Sequence, residues 1–258
     1  MPKDFLFVTG APRSGTTYVS DWLTQLEDAY CVHEVLTDLK CRPAEEAFAA
    51  LNAYASSGAD RLDKVRQREF LSWPSKGLET RDLGLLAWKE PVAWEGGGLD
   101  AVPDPLGSLL RTHCSQAVVT VRHPFDVVAS GRRREATTSN WRPLSVEAHC
   151  AFWLSTLQLI RDLERQGCAV LVLRWEDLLA DAGANAARLG EFVKRELPAF
   201  GGYEREPEEL ASMRACVHPE RGLVGHASRT YLTESDKQEI RRLLLAEATE
   251  LGYELQDF

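Results

Sequence analysis

The chain has 258 residues, 44% of them hydrophobic and 27% charged, enough to bury a full core, and a single domain over residues 1–258 is expected. No apolar run approaches the roughly 20 residues a membrane helix needs. The opening Met1-Pro2-Lys3-Asp4 lacks the basic and apolar regions of a signal peptide, so a cytoplasmic protein with no membrane partner is expected. A net charge of −9 argues against a nucleic-acid partner but allows a small anion in a basic pocket.

Phe5-Leu6-Phe7-Val8 is a short apolar run ending at Gly10 and reads as a buried strand. Tyr18, Val19, Trp22, Leu23 and Leu26 then recur at helical spacing, which starts a helix near Thr16. Residues 30–35 are expected to form a second strand, and residues 43–71 carry helix-forming mixtures broken near Ser56-Ser57-Gly58. Leu83 to Trp88 is another apolar run, followed by Lys89-Glu90-Pro91 and the flexible Gly96-Gly97-Gly98. A helix is expected within 99–113. Ala117 to Val121 is the clearest strand, β-branched and bounded by polar residues.

Pro124 opens a helix that Phe125, Val128 and Ala129 continue. The run Arg132-Arg133-Arg134 reads on its own as a solvated surface. Ser145 is placed to cap a long helix through Leu163, with Ala148, Phe152, Leu159 and Ile160 inward, and Cys168 to Leu173 is a further strand. Thr233-Glu234-Ser235-Asp236 resembles a capping box before an amphipathic helix carrying Ile240, Leu243, Leu244, Ala248 and Leu251. Strands alternating with helices imply an α/β fold of three layers, a mostly parallel central sheet flanked by helices. The six cysteines show no close pairs along the chain and no metal-ligand spacing, so reduced, mostly buried thiols are expected.

The chemistry concentrates at Gly10 to Thr17, whose frame is G-x-x-x-x-G-T-T. The nucleoside-triphosphate loop is G-x-x-x-x-G-K-[ST], in which backbone amides and a helix N-terminus cradle phosphates. Here Thr16 stands where that Lys would reach the outer phosphates, which argues against triphosphate chemistry. The loop's positive charge is instead Arg13, a planar fork of donors suited to phosphate or sulfonate oxygens. In nucleotide hydrolases a later strand supplies a magnesium-binding Asp. Here the strongest later strand ends in Arg122. The pattern predicts an anion site made of arginines and hydroxyls, without a metal.

These residues resemble the sulfotransferases that use 3′-phosphoadenylyl sulfate (PAPS) as co-substrate and release 3′-phosphoadenosine 5′-phosphate (PAP). Ala11-Pro12-Arg13-Ser14-Gly15-Thr16-Thr17 resembles their loop for the 5′-phosphosulfate, which implies donor contacts from Arg13, Ser14, Gly15, Thr16, Thr17 and Tyr18. Val121-Arg122-His123-Pro124, continuing to Ser130, resembles their second motif, which implies that Arg122 and Ser130 hold the 3′-phosphate. Val172 to Leu178 resembles the family's strand and following YEDL segment. Arg221-Gly222-Leu223-Val224-Gly225 resembles the late segment that closes over the 3′-phosphate, and Arg221 fits that role better than Arg229. The four matches keep the family's order, and the resemblance implies the P-loop-like sulfotransferase fold.

The resemblance also implies metal-free, in-line transfer of a sulfonate to a hydroxyl or amine of a small-molecule acceptor. Lys89, in Trp88-Lys89-Glu90-Pro91, matches the residue that meets the leaving group, with Arg13 as a second cation. Some members place a His two residues after that Lys, where this chain has Pro91. Others use a Glu after the second strand, and Cys31-Val32-His33-Glu34 resembles that segment, which makes Glu34 the first candidate base, with His33 and Glu90 as alternatives. Asp126 and Glu176 are expected to cap helices or pair with arginines. Trp73, Trp88, Trp94 and Trp141 are candidates for either an acceptor pocket or the core. Two competing readings are a P-loop phosphotransferase and a nucleotide-binding module without catalysis.

Overall fold

The computed structural model describes residues 4–23, 26, 28–36, 43–56, 84–94, 96–137, 143–197, 217–218, 223–224 and 229–255. Its centre is a five-stranded sheet: β1 (Asp4–Gly10), β2 (Ala29–His33), β3 (Leu85–Lys89), β4 (Gln116–Val121) and β5 (Ala169–Arg174). The strand order is β2-β3-β1-β4-β5 and every pairing is parallel. A small antiparallel pair, β6 (Val217–His218) and β7 (Leu223–Val224), stands apart from it.

Parallel strands covered on both faces read as continuous apolar runs, because both sets of alternating side chains are buried. Leu6 and Val8 of β1 pack with α1 (Thr16–Leu23), α6 (Trp175–Ala180) and α7 (Ala182–Val193), through Val19, Trp22, Leu178, Leu189 and Val193. Phe5 and Phe7 face the other layer, with α2 (Ala44–Ser56), α3 (Leu106–His113) and α5 (Val146–Arg165), through Phe48, Leu51, Leu109 and Leu159. A third cluster joins Val119 and Val121 of β4 to α4 (Pro124–Thr137), α5 and α8 (Glu234–Glu250), through Phe125, Trp153, Ile240 and Leu244.

The α/β fold with its parallel sheet is as the sequence predicts. The cap on α5 is Ser145, whose hydroxyl accepts from Ala148 N at 3.2 Å. The capping box on α8 is present, with Thr233 Oγ1 accepting from Asp236 N at 3.1 Å and Thr233 N donating to Asp236 Oδ2 at 2.8 Å. Helix α2 ends at Ser56, where the break is expected, and the rest of residues 43–71 lies outside the described residues. The stretch 99–113 divides into a 3-10 turn, Leu99–Ala101, and α3. Helix α7, capped by Asp181 accepting from Ala184 N, is an addition to the sequence reading. Trp88 and Trp94 are core residues, while Trp73 and Trp141 lie outside the described residues. Cys31, Cys114, Cys150 and Cys168 are free thiols, and the fold brings Cys114 and Cys168, 54 residues apart, to 3.6 Å. Among the described residues no helix is long and apolar enough to cross a membrane.

The topology positions the site. From β1 the chain turns through α1 toward β2, and from β4 it turns through α4 and α5 toward β5. Such a reversal opens a crevice beyond the carboxyl ends of the strands, where α/β sheets bind ligands. The register aligns Val8 with Lys89, His33 with Lys89 and Gly10 with Thr120, so the ends of β1, β2, β3 and β4 share one rim.

Candidate active site

The loop from β1 to α1 is shaped by local backbone demands. Ser14 N donates to Ala11 O at 3.0 Å, closing a tight turn. Gly15 sits at φ +101, and a Cβ there would lie 2.3 Å from Cε3 of Trp175. Only glycine fits such a position without strain. Arg13 also has a left-handed φ, 75°, a conformation that costs an L-residue about 1–2 kcal/mol. Two contacts hold it: its Nε donates to Ser130 Oγ at 3.1 Å, and Arg122 Nη1 donates to its carbonyl at 3.2 Å. Arg13, Arg122 and Ser130 therefore meet at one point, from the loop, the end of β4 and the seventh residue of α4.

The Ser14 hydroxyl turns inward to Thr120 Oγ1 at 2.8 Å, and Thr120 Oγ1 donates to Thr9 O at 3.3 Å, tying the loop to β4 and β1. The first amides of a helix lack acceptors within it, and in α1 these belong to Thr16 and Thr17. Tyr18 stands edge-on to Trp175, ring centroids 5.4 Å apart, and burial pushes its hydroxyl up to about 12. The Arg122 guanidinium lies 5.7 Å from the Trp175 ring centroid. Burial and the charges of Arg134, Arg122 and Arg133 push the Arg13 pKa down, while Glu34 pulls the other way.

Lys89 ends β3 with its side chain only 3% exposed. Its Nζ is in contact with Glu34 Oε1, and the Glu34 carboxylate is 46% exposed. Glu34 follows the last residue of β2 at a left-handed φ of 51°, and its amide donates to Lys89 O at 2.8 Å. His33 is buried, with Nε2 4.0 Å from Asp21 Oδ1 of α1. Of the two adjacent candidates, Glu34 thus stands at Lys89 and His33 at α1. Glu90 points back beneath this turn: its Oε2 accepts from Leu36 N and from Trp88 Nε1, each at 3.1 Å. Burial raises its carboxyl to about 7, against the pull of those two donors.

The end of β4 is braced from behind. Trp153 Nε1 donates to Arg122 O at 3.1 Å. Glu176 accepts from His123 N at 2.8 Å and from the Tyr253 hydroxyl at 2.9 Å. Burial raises the Glu176 pKa, and Tyr253 is itself covered by the Arg174 guanidinium at 4.4 Å. Asp126 is paired with an arginine, as expected: Arg229 donates through Nε at 2.6 Å and Nη2 at 3.1 Å. This commits Arg229 to a buried carboxylate. Arg221 and Gly222 lie outside the described residues.

Sequence reasoning did not single out Trp175, which packs on Gly15, Tyr18 and Arg122. Trp175 lies far along the chain from the loop it supports.

No family model matches the sequence, and no curated protein matches it. Solved structures do resemble the fold. The sulfotransferase domain from the Synechococcus PCC 7002 olefin synthase is similar at 15% identity and a TM-score of 0.56, over 98% of this chain and 96% of that one. Mouse sulfotransferase SULT7A1, complexed with PAP, is similar at 14% identity and a TM-score of 0.51, over 98% of this chain and 87% of that one. At these identities the likeness is one of architecture: the chain adopts the sulfotransferase fold.

Proposed function

We propose that the protein is a sulfotransferase that moves a sulfonate from PAPS to a hydroxyl or amine of a small-molecule acceptor, by metal-free in-line transfer. The observation that carries this reading is the meeting of Arg13, Arg122 and Ser130 on the rim that also holds the Lys89–Glu34 pair. In it, Arg122 and Ser130 bind the 3′-phosphate. Arg13, Tyr18 and the amides at Gly15 to Thr17 hold the phosphosulfate, with Ser14 shaping the loop. Arg221 and Gly222 are assigned to closure over the 3′-phosphate by the sequence motif alone.

The acceptor oxygen attacks sulfur as the bond from sulfur to the phosphate oxygen breaks. The acceptor proton goes to Glu34, whose carboxylate is open to solvent and adjoins Lys89. The negative charge that builds on the departing phosphate is met by Lys89, a buried cation and therefore effective, and by Arg13 on the exposed side of the loop. The likeness to a sulfotransferase complexed with PAP supports the choice of nucleotide. Thr16 in place of the triphosphate-binding Lys speaks against a kinase.

Ligand-dependent melting tests this. PAP at 100 times its dissociation constant is expected to raise Tm by roughly 5–10 °C. ATP with magnesium is expected to leave Tm unchanged. The reverse pattern would overturn the proposal. A Lys89→Ala protein is expected to bind PAP yet transfer labelled sulfonate at a small fraction of the wild-type rate. Full-rate transfer would remove Lys89 from the chemistry.

A further inference from the structure

His123 separates Arg122, just past the end of β4, from Pro124, the first residue of α4. The first amides of a helix need acceptors from outside it. In α4, Pro124 has no amide hydrogen and His123 serves the other three. Phe125 N donates to His123 Nδ1 at 3.2 Å, and Asp126 N and Val127 N donate to His123 O at 2.9 and 3.1 Å. His123 is thus the N-cap of α4, with a ring nitrogen in the place usually taken by the oxygen of Ser, Thr, Asp or Asn. The other ring nitrogen, Nε2, donates to Glu254 O at 3.2 Å. A backbone amide only donates and a carbonyl only accepts, so these two contacts select one neutral tautomer, with its proton on Nε2. The ring is buried against Phe125 and Tyr253, with centroids 5.4 Å from each.

This cap is the joint between the two residues assigned to the 3′-phosphate. Arg13 spans it: Arg122 Nη1 donates to Arg13 O at 3.2 Å, and Arg13 Nε donates to Ser130 Oγ at 3.1 Å. Where α4 starts relative to Arg122 therefore decides where Ser130 stands. An imidazolium donates from both nitrogens, so it cannot cap Phe125 N. Its charge would also sit at a helix N-terminus, where the dipole opposes it.

We propose that His123 is a positioning residue for the 3′-phosphate site: its neutral imidazole caps α4 and so sets Arg122 and Ser130 against each other, and protonation of the ring loosens that site. The inference rests on the sulfotransferase reading. Among the described residues, several charged or titratable groups surround the ring. Glu176 accepts from His123 N and from the Tyr253 hydroxyl, and Arg174 covers the Tyr253 ring. Asp126 of α4 is bound to Arg229, and Arg241 of α8 lies 5.4 Å from the Phe125 ring centroid. A comparison in which only residue 123 changes cancels their titration, and that of PAP itself.

The test measures PAP affinity of the full chain by calorimetry, from about pH 8 to about 5.5, the range in which imidazoles change charge. His123→Asn keeps an acceptor at the position of Nδ1 and does not titrate. His123→Gln keeps a donor for Glu254 O and loses the cap. At about pH 8, His123→Asn is expected to bind PAP within about twofold of wild type, and His123→Gln about fivefold more weakly, the scale of one N-cap. On acidification, wild type is expected to lose about fivefold relative to His123→Asn. Three results overturn the inference: His123→Gln binding as tightly as wild type, His123→Asn falling as far as His123→Gln, or parallel pH profiles for wild type and His123→Asn. If His123→Gln does not fold, the pH comparison of wild type with His123→Asn decides alone. Failure of wild type to bind PAP at any pH is a different result: it strikes the sulfotransferase reading and takes this inference with it.

Discussion

Replacing Glu90 by Gln alters the pH dependence of stability in a direction set by the burial of that carboxyl. Burial raises it from 4.5 to about 7. Between those values the native protein keeps a proton that the unfolded chain has released. The contribution of this carboxyl to stability is therefore fully present below pH 4.5, falls as pH rises, and is lost above about 7. At about 1.4 kcal/mol per pH unit, the gap amounts to about 3 kcal/mol. Glutamine does not ionise, and its amide oxygen still accepts from Leu36 N or Trp88 Nε1. Urea unfolding of both proteins by circular dichroism, at pH values from 4.5 to 8, isolates the effect: other carboxylates cancel in the difference, provided the m-values agree. Glu90→Gln is expected to gain up to about 3 kcal/mol on wild type across that window. Because Trp88 donates to the same carboxyl at 3.1 Å, native tryptophan fluorescence is also expected to titrate near 7 in wild type alone. A difference that stays flat from pH 4.5 to 8, or that favours wild type as pH rises, refutes the reasoning.

Gly15→Ala forces a Cβ to 2.3 Å from the Trp175 ring at a φ of +101. Strain and overpacking together are expected to cost about 2–4 kcal/mol in urea unfolding and to weaken PAP binding in calorimetry. Unaltered PAP affinity would remove the loop from the donor site. Asp126→Ala leaves the Arg229 guanidinium, 11% exposed, without its bidentate carboxylate, and is expected to lose about 3–5 kcal/mol. An unfolding measurement that finds less than about 1 kcal/mol contradicts a buried, desolvated pair. Glu34→Gln is expected to lower kcat by about 100- to 10,000-fold while PAP affinity holds, as measured by labelled transfer and calorimetry. A loss below tenfold at every pH assigns the proton to another group.

The parts of this site legible in the sequence are those that local backbone geometry demands. A strand run ending in Gly10, a glycine where φ is positive and hydroxyl residues at a helix start together specify the loop before any partner is known. Arg122 was legible because the β-branched run before it stops at the rim. The pairings were not, since they join distant residues: Arg13 to Ser130 across 117 positions, Lys89 to Glu34 across 55, Glu90 to Leu36 across 54. Helix α7 was passed over because its alanines blur the stripe of Ala186, Leu189 and Val193 that buries it. Strand alternation says that His33 and Glu34 face opposite ways, but not which meets Lys89. That is decided by the left-handed turn at Glu34, which ends the strand and aims the carboxylate along the rim. The arginine run shows the same limit from the other side. As a stretch of composition, Arg132-Arg133-Arg134 is one basic patch. On a helix, successive side chains are about 100° apart, so three neighbours cannot share one environment. Arg132 is drawn to Glu135 and Asp236, while the next two fall on Ser130's face and bear on Arg13. Which member of the run meets a carboxylate is decided by how α4 packs beside α8 after β4, and not by the residues in the run.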